Sequence, residues 1–158
     1  MSGEAGRDVL SRSSTPALPR IGCDLQRIDH VDRAVADFGA RYLDRVYTDA
    51  EQRDCRVGGA PSLAARFAAK EAVLKLLGTA DGVDPREVEV TGGGGRPRVR
   101  LHGRAAWIAR RTGTGPIDVS LSHDATTAFA VAVALTRHHD HDENDEHDDR
   151  HHQGEEHR

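Results

Sequence analysis

The segment RFAAKEAVLKLLG, residues 66–78, places four charged side chains on one predicted helix. Arg66, Lys70, Glu71 and Lys75 fall within one half of a wheel drawn with 3.6 residues per turn. That half also holds large apolar side chains, and the opposite half is wholly apolar. We expect a helix of this kind to be covered on all sides, so that its charged groups need partners.

The helix alone leaves two interpretations open. In one, Glu71 and Lys75 form a surface pair one turn apart, while Arg66 and Lys70 face solvent. In the other, the charges line a site. The large apolar residues of the charged half are Leu63, Phe67, Leu74 and Leu77. The opposite half consists of Ala65, Ala68, Ala69, Ala72, Val73 and Leu76.

Two further residues favour the site. Asp24 lies on a predicted strand, and His123 lies at the end of another. Together with Glu71 and the helix cations, they could hold a hard cation and a phosphorylated ligand. Mg²⁺ binds one or two carboxylates plus phosphate oxygens, and Arg or Lys neutralises the remaining phosphate charge.

The elements that must position these residues follow from the hydrophobic pattern. RIGCDLQRI alternates as a half-buried strand does, with Ile21, Cys23 and Leu25 on one side. One amphipathic helix is predicted through Val31 to Val46. TDAE, with Thr48 three residues before Glu51, predicts a capping box that starts a short helix. The apolar positions of that helix recur at spacings of four, three, four and four residues: Val31, Val35, Phe38, Tyr42 and Val46.

The C-terminal half adds strands. VGGAPS, residues 57–62, is predicted to be a loop before the charged helix. REVEV and RVRL predict a hairpin around TGGGGRP, and RAAWIARR predicts a helix that ends at Gly113 and Gly115. IDVSLS and AFAVAVAL predict two more strands. The second alternates large residues, which could fill a core, with alanines, which would let a neighbouring element approach closely. This mixed order predicts an α+β fold with an antiparallel sheet packed against helices.

The net charge of residues 137–158 differs from that of the rest of the chain. The chain holds 22 basic and 26 acidic residues, of which three basic and nine acidic lie in residues 137–158, so residues 1–136 hold 19 and 17, a net charge of +2. We predict a disordered leader over residues 1–19, one domain over 20–136 and a disordered His- and acid-rich tail over 137–158.

Several classes of protein are excluded by composition. The near-neutral domain has no basic stripe for nucleic acid, and no apolar run suggests a signal peptide or a membrane span. Cys23 and Cys55 are 32 residues apart and form no zinc or disulfide pattern. These features predict a cytoplasmic location.

Motifs along the chain resemble the holo-acyl-carrier-protein synthase family of 4′-phosphopantetheinyl transferases. They are IGCDL, YTDAE, ARFAAKEAVLKLLG, the hairpin with GGRP, and VSLSHDATTAFAVAVA, in order from about Ile21 to Leu135. The resemblance implies transfer of the phosphopantetheine arm of coenzyme A to a serine of an apo acyl carrier protein, with release of adenosine 3′,5′-bisphosphate. It also implies a homotrimer with active sites between subunits.

The resemblance also implies roles for individual residues. Asp24 and Glu71 would bind Mg²⁺ and, with Lys75, form the catalytic group. Lys75 would also contact coenzyme A phosphates together with Arg66. His123 would lie beside the nucleotide. Either a general base or a metal-bound water would take the proton of the carrier serine.

The chain departs from the family pattern at three places. His30 stands where the family usually has an arginine that meets the carrier. Arg56 is the only cation where the family often has a basic pair near the coenzyme A 3′-phosphate. Asp124 follows the histidine where Thr is common, and would repel phosphate unless it points away. The missing basic pair and Asp124 keep open a second hypothesis, a paralogue that binds carrier or coenzyme A with little transfer.

Other motifs favour simpler interpretations. Gly92–Gly95 are not followed by GK[ST] and are predicted to form a turn. Ser122, His123 and Asp124 are adjacent on a strand, which argues against a hydrolytic triad. Trp107 is expected in the core. The tail could bind zinc or nickel weakly, and a metal-buffering protein that acts through this tail is a third hypothesis.

Overall fold

The computed structural model describes residues 17–92 and 95–136. Five helices, one short 3₁₀ turn and five strands make up this part of the chain. In order they are β1 (Leu18–Arg27), α1 (Ile28–Phe38), α2 (Ala40–Val46), α3 (Asp49–Cys55), α4 (Gly59–Leu77), the 3₁₀ turn (Pro85–Glu87), β2 (Val88–Thr91), β3 (Arg98–Leu101), α5 (Gly103–Arg111), β4 (Thr114–His123) and β5 (Thr127–Thr136).

The predicted α+β class is confirmed. β5 lies between β1 and β4 in an antiparallel three-stranded sheet, and β2 and β3 form a separate hairpin. The central helix α4 lies across the larger sheet and also contacts α1, α3, α5 and β2. No helix in the described ranges is long and apolar enough to cross a membrane.

Small residues bring α4 close to the sheet. The alanines of β5, at 128, 130, 132 and 134, are all buried on the side that faces α4. On β1, Gly22 faces the same helix, and a Cβ there would overlap the Ala72 carbonyl oxygen and lie 2.8 Å from the Leu76 nitrogen. The alanine face therefore packs against α4, and the face of the large residues is left outside.

This arrangement corrects the prediction for the first strand. Ile21, Cys23 and Leu25 do share one side of β1, but all three are exposed, and Gly22 packs on the helix instead. The large residues of β5 lie on the same outer side, because Ile21 pairs with Val133 and Leu25 with Phe129. Alternation correctly separates the two faces of a strand but does not say which one is covered.

Three boundaries differ from the predictions. The helix predicted through Val31 to Val46 is two helices, because Gly39 adopts φ 54 and ψ −132 between them, and Phe38 is exposed. The loop predicted over residues 57–62 is helical from Gly59, since Pro61 lies in the first turn, where no intrahelical N–H is needed. Strand β4 starts at Thr114, so it includes Gly115.

Other predictions are confirmed. The capping box at Thr48 and Glu51 starts α3, with both reciprocal hydrogen bonds formed. β2 and β3 form the predicted hairpin. α5 ends before Gly113, which has φ 62. The strand β1 begins at Leu18, inside the predicted leader, and residues 1–16 and the tail 137–158 lie outside the described residues.

Gly22→Ala should destabilise the protein by about 1–3 kcal/mol, because the added methyl group must push β1 away from α4. Urea unfolding at one fixed protein concentration measures the change. Gly95→Ala is the matched control, since none of the described atoms lies within 4 Å of a Cβ placed there. Equal stabilities of the two variants would contradict the close packing of Gly22.

Candidate active site

Asp24 reaches the site because β1 alternates. It lies on the same side of the strand as Gly22, facing α4, and pairs in register with Ala130 of β5. The small side chain of Ala130 leaves the space above this part of the sheet to polar groups. Asp24 is thus held on rigid backbone in the middle of a paired strand.

Lys75 of α4 binds this carboxylate directly. Its Nζ donates to Asp24 Oδ1 at 2.7 Å and to the Cys23 carbonyl oxygen at 3.1 Å. The hydrogen bond to Asp24 raises the pKa of Lys75, so the ammonium stays charged at neutral pH. The ion pair of Lys75 within the described residues is therefore with a strand aspartate, which argues against the interpretation in which Lys75 forms a surface pair with Glu71.

Glu71 lies one turn before Lys75 and is partly buried. Burial raises the pKa of Glu71, the nearby Asp24 carboxylate raises it further, and Lys75 lowers it. These mutual effects place Asp24, Glu71 and Lys75 in one cluster. Two carboxylates there repel each other, and a single ammonium compensates only in part, which is the charge pattern that a divalent cation relieves.

The other residues in the charged half of α4 differ in their exposure to solvent. From Leu63 to Leu77, only Phe67, Glu71 and Lys75 are not buried, and they form one stripe along α4. The prediction of a covered helix is thus right except along this stripe. The interpretation in which Arg66 and Lys70 face solvent is wrong, since both are buried.

Arg66 points into a cavity of about 460 Å³ between α4, β4 and the β2–β3 turn. Its lining residues are Asp54, Ser62, Arg66, Gly92, Gly95, Arg96, Pro97, Val119, Ser120 and Leu121. Both the glycine turn and strand β4 contribute to the wall. The cavity therefore joins the hairpin to the strand that ends at His123.

The guanidinium of Arg66 is only partly satisfied. The residue is 8% exposed, Nη1 donates to the Ser62 carbonyl oxygen at 3.3 Å, and Nη2 lies 3.9 Å from Asp54 Oδ2. Its Nε is buried without a hydrogen-bond partner among the described residues. A buried donor left unpaired is costly, so an anionic oxygen in the cavity would be a favourable partner.

The other two predicted ligand residues lie apart from this cluster. His123 is exposed at the end of β4, two residues beyond the cavity residue Leu121, and its Nδ1 is 3.3 Å from the Asp124 carbonyl oxygen. Arg56 follows α3 and lines a separate cavity of about 480 Å³ with Arg53. The structure thus brings together Asp24, Glu71 and Lys75, and it leaves Arg56 on a different surface from Arg66.

Asp124 serves the turn between β4 and β5. Its Oδ1 accepts hydrogen bonds from the backbone N–H groups of Thr126 and Thr127, at 2.7 and 2.8 Å, and from the Thr126 hydroxyl at 3.1 Å. These bonds lower the pKa of Asp124. The acid that stands where the family commonly has Thr therefore has a structural role of its own.

Sequence analysis missed an internal ion pair beneath the site. Lys70 and Glu51 are both buried, with Lys70 Nζ 2.8 Å from Glu51 Oε2. The capping box identified Glu51 only as a helix start, and no spacing links residues 19 apart on different helices. Arg96 and Ser120 of the cavity wall were also missed, because the sequence placed Arg96 in a turn and Ser120 on a strand without indicating that both line one cavity.

The residues present fit a metal site completed by a ligand. No group of three or more His, Cys, Asp or Glu suited to a metal occurs in residues 17–92 and 95–136. Two carboxylates are nevertheless enough for Mg²⁺, which commonly takes its other oxygens from phosphate and water. Asp24 and Glu71, with the raised pKa of Glu71, meet that requirement.

Comparison with known proteins matches nearly all of the described domain. The family model described as the 4′-phosphopantetheinyl transferase superfamily matches residues 20–134. The holo-[acyl-carrier-protein] synthase of Moorella thermoacetica is 48% identical over 118 residues, which cover 72% of this chain and 90% of that protein.

Solved structures agree. The holo-[acyl-carrier-protein] synthase of Helicobacter pylori in complex with coenzyme A has a TM-score of 0.64 at 26% identity, covering 72% of this chain and 98% of that one. The Chronobacterium ammoniagenes ACPS–CoA complex has a TM-score of 0.66 at 28% identity, covering 77% and 99%.

Proposed function

The chain is an enzyme of the holo-acyl-carrier-protein synthase family within the 4′-phosphopantetheinyl transferase superfamily, and we propose that it transfers 4′-phosphopantetheine from coenzyme A to a serine of an apo acyl carrier protein in a Mg²⁺-dependent reaction. Adenosine 3′,5′-bisphosphate is the second product. The observation that carries the proposal is the cluster of Asp24, Glu71 and Lys75. It joins a strand residue to two helix residues, and Asp24 and Lys75 are 51 residues apart in the sequence.

Asp24 and Glu71 are the proposed metal ligands. When bound there, Mg²⁺ would neutralise charge on the pyrophosphate of coenzyme A. The carrier serine oxygen would form a bond to the phosphorus of the phosphopantetheinyl group, and the P–O bond to the leaving adenosine 3′,5′-bisphosphate would break. The chain's own contribution is to hold two carboxylates on rigid elements, so that they need no rearrangement when the charge develops. Lys75, whose side chain is 55% exposed and whose ammonium is bound to Asp24, adds a cation that can reach a phosphate from the same place.

Arg66 is the proposed contact for a coenzyme A phosphate. Its buried, unpaired Nε and the cavity around it support this role. His123, at the carboxyl end of β4, is the proposed neighbour of the nucleotide. Arg56 also stays a proposed phosphate contact, which requires the bound ligand or α3 to bring it toward the cavity of Arg66.

The start of α1 is the proposed carrier contact. His30 is exposed there, beside a cluster in which Arg27 and Arg33 both bind Asp29. Arg27 and Arg33 flank His30, and together with Asp29 and the exposed Asp32 they give residues 27–33 a formal charge of zero. The two arginines are the cations that an acidic carrier could contact in place of the family's usual arginine.

A homotrimer is proposed because one face of the main sheet lacks a cover within the described chain. Ile21, Leu25, Phe129 and Val133 are exposed side by side on β1 and β5. Apolar side chains clustered in this way mark an interface. Active sites between subunits are part of this proposal through the family resemblance, since Asp24 itself faces α4 on the other side of β1.

Ile21→Glu should convert the trimer to monomers, because the new charge would be buried between subunits. Light scattering on a sizing column measures the mass. Val57→Glu is the matched control, since Val57 is fully exposed but lies outside the sheet. A trimer that persists in Ile21→Glu would contradict an interface on this face.

The test of the function is the intact mass of an apo acyl carrier protein after incubation with this protein, coenzyme A and Mg²⁺. The proposal expects a gain of one phosphopantetheine that a chelator blocks. Bound coenzyme A without any mass gain on several carriers would instead favour the paralogue hypothesis. The argument for a paralogue from Asp124 is weaker in this fold, because hydrogen bonds within the β4–β5 turn engage the Asp124 carboxylate.

A further inference from the structure

Helix α5 presents a basic and aromatic outer face. Arg104, Trp107, Arg110 and Arg111 are all exposed, whereas Ala105, Ile108 and Ala109 on the other side are buried. At 100° per residue the four exposed residues fall within about a third of the helix circumference. We call this surface the α5 face. Trp107 is 48% exposed, so the expectation that it belongs to the core is wrong.

Two guanidinium groups lie near the indole ring. Arg104 Cζ lies 6.0 Å and Arg111 Cζ 5.4 Å from the Trp107 ring centroid. Cation–π contacts at these distances hold the two arginines close to the indole. The α5 face is therefore a defined arrangement of donors and not a set of independent long side chains.

The cations of the α5 face are not balanced by carboxylates. Within residues 17–92 and 95–136, no carboxylate oxygen lies within 4 Å of Arg104, Arg110 or Arg111. Arg104 Nε donates to the Asp81 backbone carbonyl at 2.9 Å, which carries no charge. Three positive charges around an exposed tryptophan are suited to an acidic segment.

The chain passes the end of this helix as it leaves the sheet. Thr136, the last residue of β5, pairs with Thr114 at the start of β4. Thr114 Oγ1 lies 2.7 Å from Thr112 Oγ1, and Thr112 directly follows Arg111. Thr136, the last described residue before the segment 137–158, therefore lies beside the carboxyl end of α5.

The sequence that follows has the opposite charge. Residues 137–158 hold nine acidic and three basic residues, and the first acid is Asp140. Four extended residues span up to about 13 Å, whereas the three residues from Thr114 back to Arg111 span at most about 10 Å. The whole α5 helix is only about 14 Å long, so the 22-residue segment can reach every arginine of the face.

We propose that residues 137–158 bind the α5 face of the same chain. The tether keeps the acidic segment at a high effective concentration, so individually weak ion pairs act together. The bound segment would cover Trp107 and shield the arginines from other acidic macromolecules. Because β5 runs from Thr127 near His123 to Thr136, the α5 face lies at the end of the sheet away from His123, and the proposal does not depend on the proposed transfer reaction.

Trp107 is the only tryptophan of the chain, so its fluorescence reports this contact directly. The experiment compares acrylamide quenching of the full-length protein with that of a full-length variant whose acids from 140 to 149 are replaced by amides. Work at pH 8 with a chelator keeps the tail histidines mostly neutral and metal-free. The replaced acids are Asp140, Asp142, Glu143, Asp145, Glu146, Asp148 and Asp149.

The expected result is a quenching constant about twofold higher in the amide variant at low salt, and equal constants at 1 M NaCl, where the screening length is about 3 Å. Equal constants at low salt would overturn the proposal. Protection of Trp107 that disappears on tenfold dilution would also overturn it, because the segment would then bind a separate molecule.

Charge variants on the folded part test the face itself. Arg110→Gln/Arg111→Gln should lose the salt dependence of quenching, whereas Arg41→Gln/Arg45→Gln, the same change on exposed arginines of α2, should keep it. Comparing each variant at low and high salt removes differences in the intrinsic exposure of the indole. A synthetic peptide of residues 137–158 should restore protection to the amide variant. If an acidic carrier protein protects Trp107 and this peptide does not, the face belongs to a different partner.

Discussion

Glu71→Gln should lower the rate of phosphopantetheine transfer at least about 1,000-fold while the protein stays folded. The substitution keeps the size of the side chain and removes one of the two carboxylates proposed to bind Mg²⁺. Burial and Asp24 already raise the pKa of Glu71, so its negative charge is unfavourable without a cation. The neutral variant should therefore be at least as stable as the parent protein when no metal is present.

Two measurements separate this role from a structural one. The time course of carrier mass gives the rate, and the rise in melting temperature on adding Mg²⁺ with coenzyme A reports the metal site without turnover. Both should be lost in Glu71→Gln. Asp81→Asn makes the same chemical change at an exposed loop position and should leave both unaltered. A rate within tenfold of the parent, with the Mg²⁺ response retained, would remove Glu71 from the site.

The sign of the pH dependence follows from the same shift. A carboxyl whose pKa is raised binds a proton at a higher pH than usual, and the proton competes with the metal. The stabilisation by Mg²⁺ should thus weaken as pH falls toward the raised pKa of Glu71. In Glu71→Gln this part of the pH dependence should be absent.

Lys70→Met should destabilise the fold by about 3–5 kcal/mol, because it leaves Glu51 as a buried carboxylate without its counter-ion. Lys70 Nζ donates to Glu51 Oε2 at 2.8 Å and to the carbonyl oxygens of Pro85 and Val88 at 3.0 and 2.6 Å. Glu51 also accepts from the Val90 N–H at 2.8 Å. One ammonium and one carboxylate therefore join α3, α4, the 3₁₀ turn and β2.

Burial lowers the pKa of Lys70, and the Glu51 charge opposes this effect. Urea unfolding at a fixed protein concentration gives the change in the free energy of unfolding, and Arg41→Met is the control because that arginine is exposed on α2. Glu51→Gln/Lys70→Met should lose less than the sum of the single changes, since the two groups compensate each other. A loss below about 1 kcal/mol in Lys70→Met would mean that the carboxylate is neutralised in another way.

The charged helix shows how far sequence analysis could reach. Period and composition predicted that α4 is covered and that its charges need partners. The structure gives those charges three different environments: Lys70 is paired internally with Glu51, Arg66 borders a cavity, and Glu71 and Lys75 meet Asp24. A helical wheel places all four within one half and cannot separate these environments, because they depend on what lies opposite each residue.

The same limit applies to the sheet. Alternation identified a large-residue face and an alanine face on β5, and the natural expectation was that the large residues fill the core. The close approach of Gly22 to Ala72 and Leu76 instead makes the alanine face the packed one. Within the described chain, Phe129 and Val133 are left on the outside.

By itself, the sequence determined the local elements, the capping box at Thr48, the α+β class and the family. These depend on periodicities and motifs within a few residues of one another. Only the tertiary structure decided which charges meet, because Asp24 and Lys75 are 51 residues apart and Glu51 and Lys70 are 19 apart. Contacts over such separations are set by the packing of whole elements, and no short-range pattern encodes them.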